Sequence, residues 1–314
     1  MLFDHRIASD RGADFIALAA TGDETILHVT PALGDRPVVG DWVAVGDGAR
    51  ITAIAPRRGV LARALHHRGG TAQPIAANLD IVLIVTAPGR EFSPPRVERY
   101  LVATRAAGAR AVVVLNKCDL ARDPAALVAE LYAVTAEVPV VALSAQFGDG
   151  CAALDAYLAA GSTLALVGSS GVGKSTLANR LLGADRFATR ATRASDGRGV
   201  HTSTRRELAA LPSGAWLIDT PGMRAFAPWS DEAALDDVFG DVADAATRCR
   251  FRDCAHDREP GCAVRDEVAD GRYERWRALR AELAYLDRRD DPAALAHEKR
   301  RWKSITKAQR NHQR

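Results

Sequence analysis

Residues 163–182 read TLALVGSSGVGKSTLANRLL, an apolar run that breaks into glycines and resumes with leucines at helical spacing. Thr163 to Val167 reads as a strand, and Leu177, Ala178, Leu181 and Leu182 mark one face of a helix. Between them, Gly168-Ser169-Ser170-Gly171-Val172-Gly173-Lys174-Ser175-Thr176 fits G-x-x-x-x-G-K-[ST] in the strand-to-helix setting that motif requires. Its glycines let the backbone wrap a phosphate chain so that successive N–H groups point inward, and the helix presents its positive end to the same anion. Lys174 would reach the β and γ phosphates, and Ser175 would hold Mg²⁺. An ordinary glycine turn before a helix is the bland alternative.

Working outward, Asn78 to Ala87 and Ala111 to Leu115 are continuous apolar runs, the pattern of strands buried on both faces of a parallel sheet. Helical spacing over Pro95 to Ala107 and Pro124 to Thr135, a strand over Val138 to Leu143, and another over Trp216 to Ile218 ending at Asp219 complete an α/β alternation. Two further motifs fall at strand ends. Asn116-Lys117-Cys118-Asp119 follows one strand, where a loop at the carboxyl edge of the sheet can face a ligand. A carboxylate at Asp119 can accept both N1–H and the 2-amino protons of guanine, whereas adenine offers no such donor pair. Alone, N-K-x-D also reads as a loop with a capping aspartate; beside a phosphate loop in the same sheet the guanine reading gains. Asp219-Thr220-Pro221-Gly222 suits an outer partner of Mg²⁺, with the Gly222 amide following the γ phosphate; a strand-ending turn is the plainer alternative.

Upstream, Phe15 to Ala19, Thr25 to Val29, Trp42 to Val45, Arg50 to Ile54 and Val60 to Leu65 are short strand patterns separated by Gly and Asp turns. They predict a small barrel, either of the oligonucleotide-binding type or a plain spacer. Downstream, Cys249, Cys254, His256 and Cys262 are spaced C-x₄-C-x-H-x₅-C. Three thiolates and an imidazole fill a closed tetrahedral Zn²⁺ site with no open position for catalysis, although the spacing alone also admits scattered thiols or disulfides. Beyond it, Tyr273, Trp276, Leu279, Leu283 and Leu286 form an amphipathic stripe interleaved with Arg272, Arg275, Arg277 and Arg280. The chain then runs into Lys299, Arg300, Arg301, Trp302, Lys303, Lys307, Arg310 and Arg314. Such residues supply phosphate contacts and stacking surfaces for RNA, or a solvated tail.

The expected organisation is a barrel over 1–72, the α/β domain over 73–230 and a helical metal-binding domain over 231–314. The net charge of +3 is mild, so nucleic-acid contact has to come from local basic patches rather than overall charge. No stretch approaches 18 uninterrupted apolar residues, and the amino terminus lacks a basic-then-apolar leader, so a cytosolic protein without membrane association is expected.

The order of the motifs, with N-K-x-D (116–119) and Ser144-Ala145 ahead of the phosphate loop and D-T-P-G (219–222) behind it, resembles that of circularly permuted GTPases. With the amino-terminal barrel leading into Gln73 to Asp80 and the Cys/His cluster behind, the whole chain resembles the ribosome small subunit-dependent GTPase A (RsgA) family. That resemblance implies an oligonucleotide-binding barrel, hydrolysis of GTP to GDP stimulated by the small ribosomal subunit, and a role in late maturation of that subunit through its rRNA. It implies that Asn116, Lys117 and Asp119 contact guanine, that Ser144 and Ala145 support the base, and that Gly168 to Thr176 bind the phosphates. It also favours zinc at the four-residue cluster. Gly197 to Thr204 looks like the first switch, whose hydroxyls close on Mg²⁺; Ser203 interrupts the family's threonine run, leaving Thr202, Ser203 and Thr204 open as the ligand. Met223 stands where Ras-like GTPases carry the glutamine that orients water, and a thioether cannot do so. His201 is therefore the expected water-positioning residue, against a solvated loop histidine. Nothing in the chain demands more than a monomer.

Overall fold

The segment HRIASD forms the first strand, β1 (His5–Asp10), although its charged and polar residues conceal it from a test for apolar alternation. It opens the amino-terminal barrel with β2 (Asp14–Ala19), β3 (Glu24–Val29), β4 (Trp42–Gly46) and β5 (Arg50–Ile54). The pairings β1–β2, β2–β3, β3–β5, β5–β4 and β4–β1 close the barrel around Ile7, Phe15, Ala17, Leu27, Val43 and Ile51. The expected fifth barrel strand, Val60 to Leu65, is instead β6 (Val60–Arg63), paired with β7 (Gln73–Ala77) in a separate ribbon. The barrel is already closed by β1, so β6 has no edge there to join.

The computed structural model describes residues 2–19, 22–63, 73–135, 137–187, 207–219, 232–269 and 271–290. They fall into two compact units, divided between Ala62 and Arg63, between Gln73 and Pro74, and between residues 219 and 232.

In the first unit, β8 (Ile81–Thr86), β9 (Arg110–Leu115), β10 (Val140–Ala142), β11 (Thr163–Val167), β12 (Glu207–Ala210) and β13 (Trp216–Asp219) form a sheet in the order β10-β9-β8-β11-β13-β12. All neighbours are parallel except β12, which runs antiparallel to β13. Every residue of β8 and β11 is buried, as apolar runs covered on both faces require. Helices α1 (Pro94–Ala106) and α2 (Pro124–Thr135) pack together, α1 against β8 and β9 and α2 against β10. Helix α3 (Lys174–Leu182) puts Leu177 and Ala178 into the core on the face lined by Leu83, Val85, Val114 and Leu166. Because parallel strands share a direction, the carboxyl ends of β8, β9, β10, β11 and β13 and the loops after the first four gather at one sheet edge.

The barrel joins this sheet edge to edge, with Ser9 of β1 opposite Glu207 of β12. Arg6 spans the junction. Only 2% exposed, its guanidinium lies 5.3 Å from the Trp42 ring and 5.4 Å from that of Trp216, and Nη2 donates to Thr163 Oγ1 at 2.5 Å. Burial lowers its pKa to about 10, and the Asp80 carboxylate works against that fall. Folding therefore bears a desolvation cost for this charge, so the space it fills contributes more to stability than its ionisation does. Arg6→Ala is expected to lose about 2 kcal/mol through the cavity between the rings and the lost hydrogen bonds. Arg6→Met should recover more than half of that by refilling the space. Urea unfolding followed by tryptophan emission measures both; equal losses would place the stabilisation in the charge.

The second unit holds α4 (Glu232–Val238), α5 (Gly240–Thr247), α6 (Ala263–Glu267) and α7 (Arg272–Asp290). Leu235, Phe239, Val242, Ala245 and Val264 are buried. Arg272, expected as part of an RNA-facing set, is buried instead: its guanidinium lies 4.6 Å from the Phe239 ring, and Nη2 donates to the Val238 carbonyl at 2.9 Å.

Candidate nucleotide site and metal centre

Gly168 follows β11 with φ +141°, and a methyl group there would meet the Val85 carbonyl oxygen at 2.2 Å. Gly173 has φ +94°, and its methyl would lie 2.4 Å from Asn116 Nδ2. Both positions combine a left-handed backbone with a close approach that only glycine tolerates. Lys174 opens α3 and folds back over the loop, its Nζ donating to the carbonyls of Gly168 and Ser169 at 2.8 and 2.7 Å. Ser175 and Thr176 follow on the first turn of the helix, half-buried.

Asn116 binds this loop to two others. Nearly fully buried, it donates from Nδ2 to the Val172 carbonyl at 2.9 Å and accepts at Oδ1 from the amides of Lys117 and Ala145. Lys117, in the left-handed region at φ +61°, donates from Nζ to the Gly171 carbonyl at 2.6 Å. Ser144 Oγ donates to Asp119 Oδ1 at 2.5 Å. That bond fixes one oxygen of the carboxylate and sets its plane. The structure thus brings together Asn116, Lys117, Asp119, Ser144, Ala145 and Gly168 to Thr176 at the carboxyl edge of the sheet. Asp219 ends β13, the parallel neighbour of β11, at the same edge; its side chain lies outside the described residues. So do His201, Thr202, Ser203, Thr204, Gly222, Met223 and the basic run from Lys299 onward.

Two residues at this site carry no sequence motif. Glu91, in the turn after β8, accepts from Ser169 Oγ at 2.5 Å. Arg180, on the last turn of α3, donates to the carbonyls of Ala145 and Gln146. Each reads in the sequence as an ordinary charged surface residue. Burial raises the pKa values of Cys118 and Cys151, so both remain thiols at neutral pH.

In the second unit, the ligand atoms of Cys249, Cys254, His256 and Cys262 all lie within 4.8 Å of one another. His256 Nδ1 is 3.5 Å from the sulfurs of both Cys249 and Cys262. Tetrahedral Zn–S and Zn–N bonds of ordinary length place such atoms about 3.6 Å apart, so the donor set fits that ion. Burial opposes the Cys249 thiolate, but hydrogen bonds from the Val264 and Ala263 amides and from the Cys254 and Cys262 thiols together lower that pKa. Burial, reinforced by the neighbouring thiols, pushes Cys254 up to about 11. Thiols this close lose their protons together only when a cation offsets the repulsion. The sequence also gave no sign of Glu259, which accepts from the amides of Ala255, Asp257 and Arg258 and pins the turn between His256 and Cys262. The Tyr273 ring meets His256 edge-on and stacks on Trp276, linking the cluster to α7.

The RsgA GTPase family model matches residues 54–229. A small ribosomal subunit biogenesis GTPase RsgA from Opitutus terrae is 43% identical, over 98% of this chain and 91% of its own. One from Xanthomonas euvesicatoria is 46% identical over 80% of this chain and 70% of its own. Among solved structures, YjeQ from Thermotoga maritima superposes with a TM-score of 0.64 at 26% identity, covering 89% of this chain and 98% of that one. YloQ, a circularly permuted GTPase, superposes with a TM-score of 0.59 at 22% identity, covering 90% of this chain and 94% of its own, and shares the fold.

Proposed function

The chain belongs to the RsgA GTPase family and is a GTP-hydrolysing enzyme; we propose that it acts in the maturation of the small ribosomal subunit, with that subunit stimulating hydrolysis. The observation that carries this reading is the convergence of three loops on Asn116, which bonds at once to the phosphate-loop carbonyl of Val172 and the amide of Ala145. Relatives at this level of identity carry small ribosomal subunit biogenesis in their names.

In this reading Asp119 selects guanine, with Lys117 beside the base and Ser144 and Ala145 behind it. Gly168 to Thr176 enclose the phosphates, and Lys174 turns from its loop carbonyls to the phosphate oxygens. Ser175, one switch hydroxyl (Thr202, Ser203 or Thr204) and Asp219 would hold Mg²⁺, which neutralises charge on the β and γ phosphates when bound. Gly222 follows the γ phosphate, and His201 positions water in place of the glutamine that Met223 replaces. Residues 1–72 and 231–314 grip rRNA, the latter built around Zn²⁺ held by Cys249, Cys254, His256 and Cys262. The protein works in the cytoplasm as a monomer.

The test is turnover of GTP alone, with small subunits, and with large subunits. Small subunits are expected to accelerate turnover by about 100-fold or more, the scale on which a partner completes an unfinished GTPase site. Equal rates with both subunits would overturn the proposed partner while leaving GTP hydrolysis in place.

A further inference from the structure

We infer that Arg180 is a positioning residue for guanine recognition: from the helix that follows the phosphate loop, it holds in place the turn that sets the base-reading carboxylate. The inference rests on the nucleotide reading above and assigns a part of that site that no motif marks.

The turn is residues 144–149, closed by bonds from the Ser144 amide to the Asp149 carbonyl at 2.8 Å and from the Gly148 amide to the Ser144 carbonyl at 2.7 Å. Arg180 Nε donates to the Ala145 carbonyl at 3.1 Å, and Nη2 donates to that of Gln146 at 2.9 Å. One planar group thus grips two consecutive carbonyls, which an ammonium cannot do with the same rigidity. Gly148 lies against the same guanidinium: at φ +97°, a methyl there would come within 3.1 Å of Nη1. Two further bonds of the turn lead to the base. Ala145 donates its amide to Asn116 Oδ1, and Ser144 donates its hydroxyl to Asp119.

The other end of the clamp is fixed. Leu177 and Ala178 are fully buried, and Asn179 exchanges two hydrogen bonds with the backbone of Phe187, at 2.7 and 2.8 Å. Helix α3 is therefore a firm platform whose first residue, Lys174, belongs to the phosphate loop. Arg180 is itself exposed, yet an arginine reaching only water would leave the turn to its own bonds. The two carbonyl contacts instead join it to the element that phosphates organise. Loss of Arg180 should loosen Ser144, and through it Asp119, while leaving the phosphate loop as it was.

Displacement of a fluorescent GDP by GDP, inosine diphosphate, ADP and inorganic pyrophosphate tests this in the full-length protein. Inosine lacks the 2-amino group, so the ratio of GDP to inosine diphosphate affinity reports the carboxylate's aim. Arg180→Ala is expected to bind GDP about tenfold more weakly and to narrow that ratio several-fold, with pyrophosphate affinity within about twofold of wild type. Arg180→Lys, able to satisfy one carbonyl, should fall between; it carries the comparison if the alanine variant does not fold. An unchanged ratio overturns the inference, as does a loss shared equally by GDP and pyrophosphate, since general loosening of α3 would produce that. If the wild-type protein itself fails to prefer GDP to ADP, the nucleotide reading falls and the inference with it.

Discussion

Asp119→Asn is expected to weaken GTP and GDP binding by about 100-fold or more and to make xanthine nucleotides the better ligands. The carboxylate offers two acceptors to the N1–H and 2-amino groups of guanine. An asparagine replaces one acceptor with an N–H₂ donor, which faces the guanine amino group donor to donor. Setting donor against donor costs far more than the mean net value of a hydrogen bond, which is why such discrimination reaches several orders of magnitude. Xanthine presents a carbonyl where guanine has the amino group, so the new donor acquires a partner. The Ser144 hydroxyl can still donate to the remaining side-chain oxygen, which keeps the plane of the group. Competition titrations with GDP, XDP and ADP check this. Retention of full GDP affinity would remove Asp119 from the base site, and a parallel loss of all three ligands would assign it a structural role in the loop.

Asp119 was legible in the sequence because its motif is local: four consecutive residues at the end of an apolar strand. The phosphate loop was legible for the same reason, since glycines at fixed offsets state backbone conformations that nothing else can adopt. Strands β8, β9 and β11 announced themselves as uninterrupted apolar runs because both of their faces are covered. Strand β1 did not. Arg6 and Ser9 lie in the core of its burial pattern, and the charge of Arg6 meets its partners on Gly40, Trp42, Thr163 and Trp216, residues distant in sequence. Strand β12 was missed because ELAA is short and lies at the antiparallel edge between β13 and the barrel. Glu91, Arg180 and Glu259 were illegible for a related reason. A charged residue on a helix end or turn has the same local signature whether it faces water or a neighbouring loop, and only the folded chain supplies the partner. The stripe on α7 was legible as a helix, yet its pattern could not say that Arg272 would turn inward while Tyr273 and Trp276 stacked beside His256 of the Cys/His cluster.

That stack underlies the other large effect, removal of the metal. The second unit is small, with four helices among its described residues, one of them the five-residue α6 that Cys262 caps. A core of this size rarely supplies more than a few kcal/mol on its own, whereas a structural zinc site contributes on the order of 10 kcal/mol of apparent binding free energy at neutral pH. Without the ion, three crowded thiols and His256 have no reason to converge, and the turn pinned by Glu259 loses its anchor. Chelation, or Cys249→Ser, is therefore expected to unfold α4 to α7. The readouts are a loss of helical ellipticity, a shift of Trp276 emission toward that of an exposed indole, and rapid proteolysis beyond residue 232. Cys151→Ser should leave one zinc per chain, because that cysteine lies outside the cluster. The described groups assigned to guanine and phosphate all belong to the first unit, so GDP affinity should survive chelation within a few-fold. Stable helices in metal-free protein would show that the core suffices alone. Loss of GDP binding on chelation would show that the metal also supports the nucleotide site.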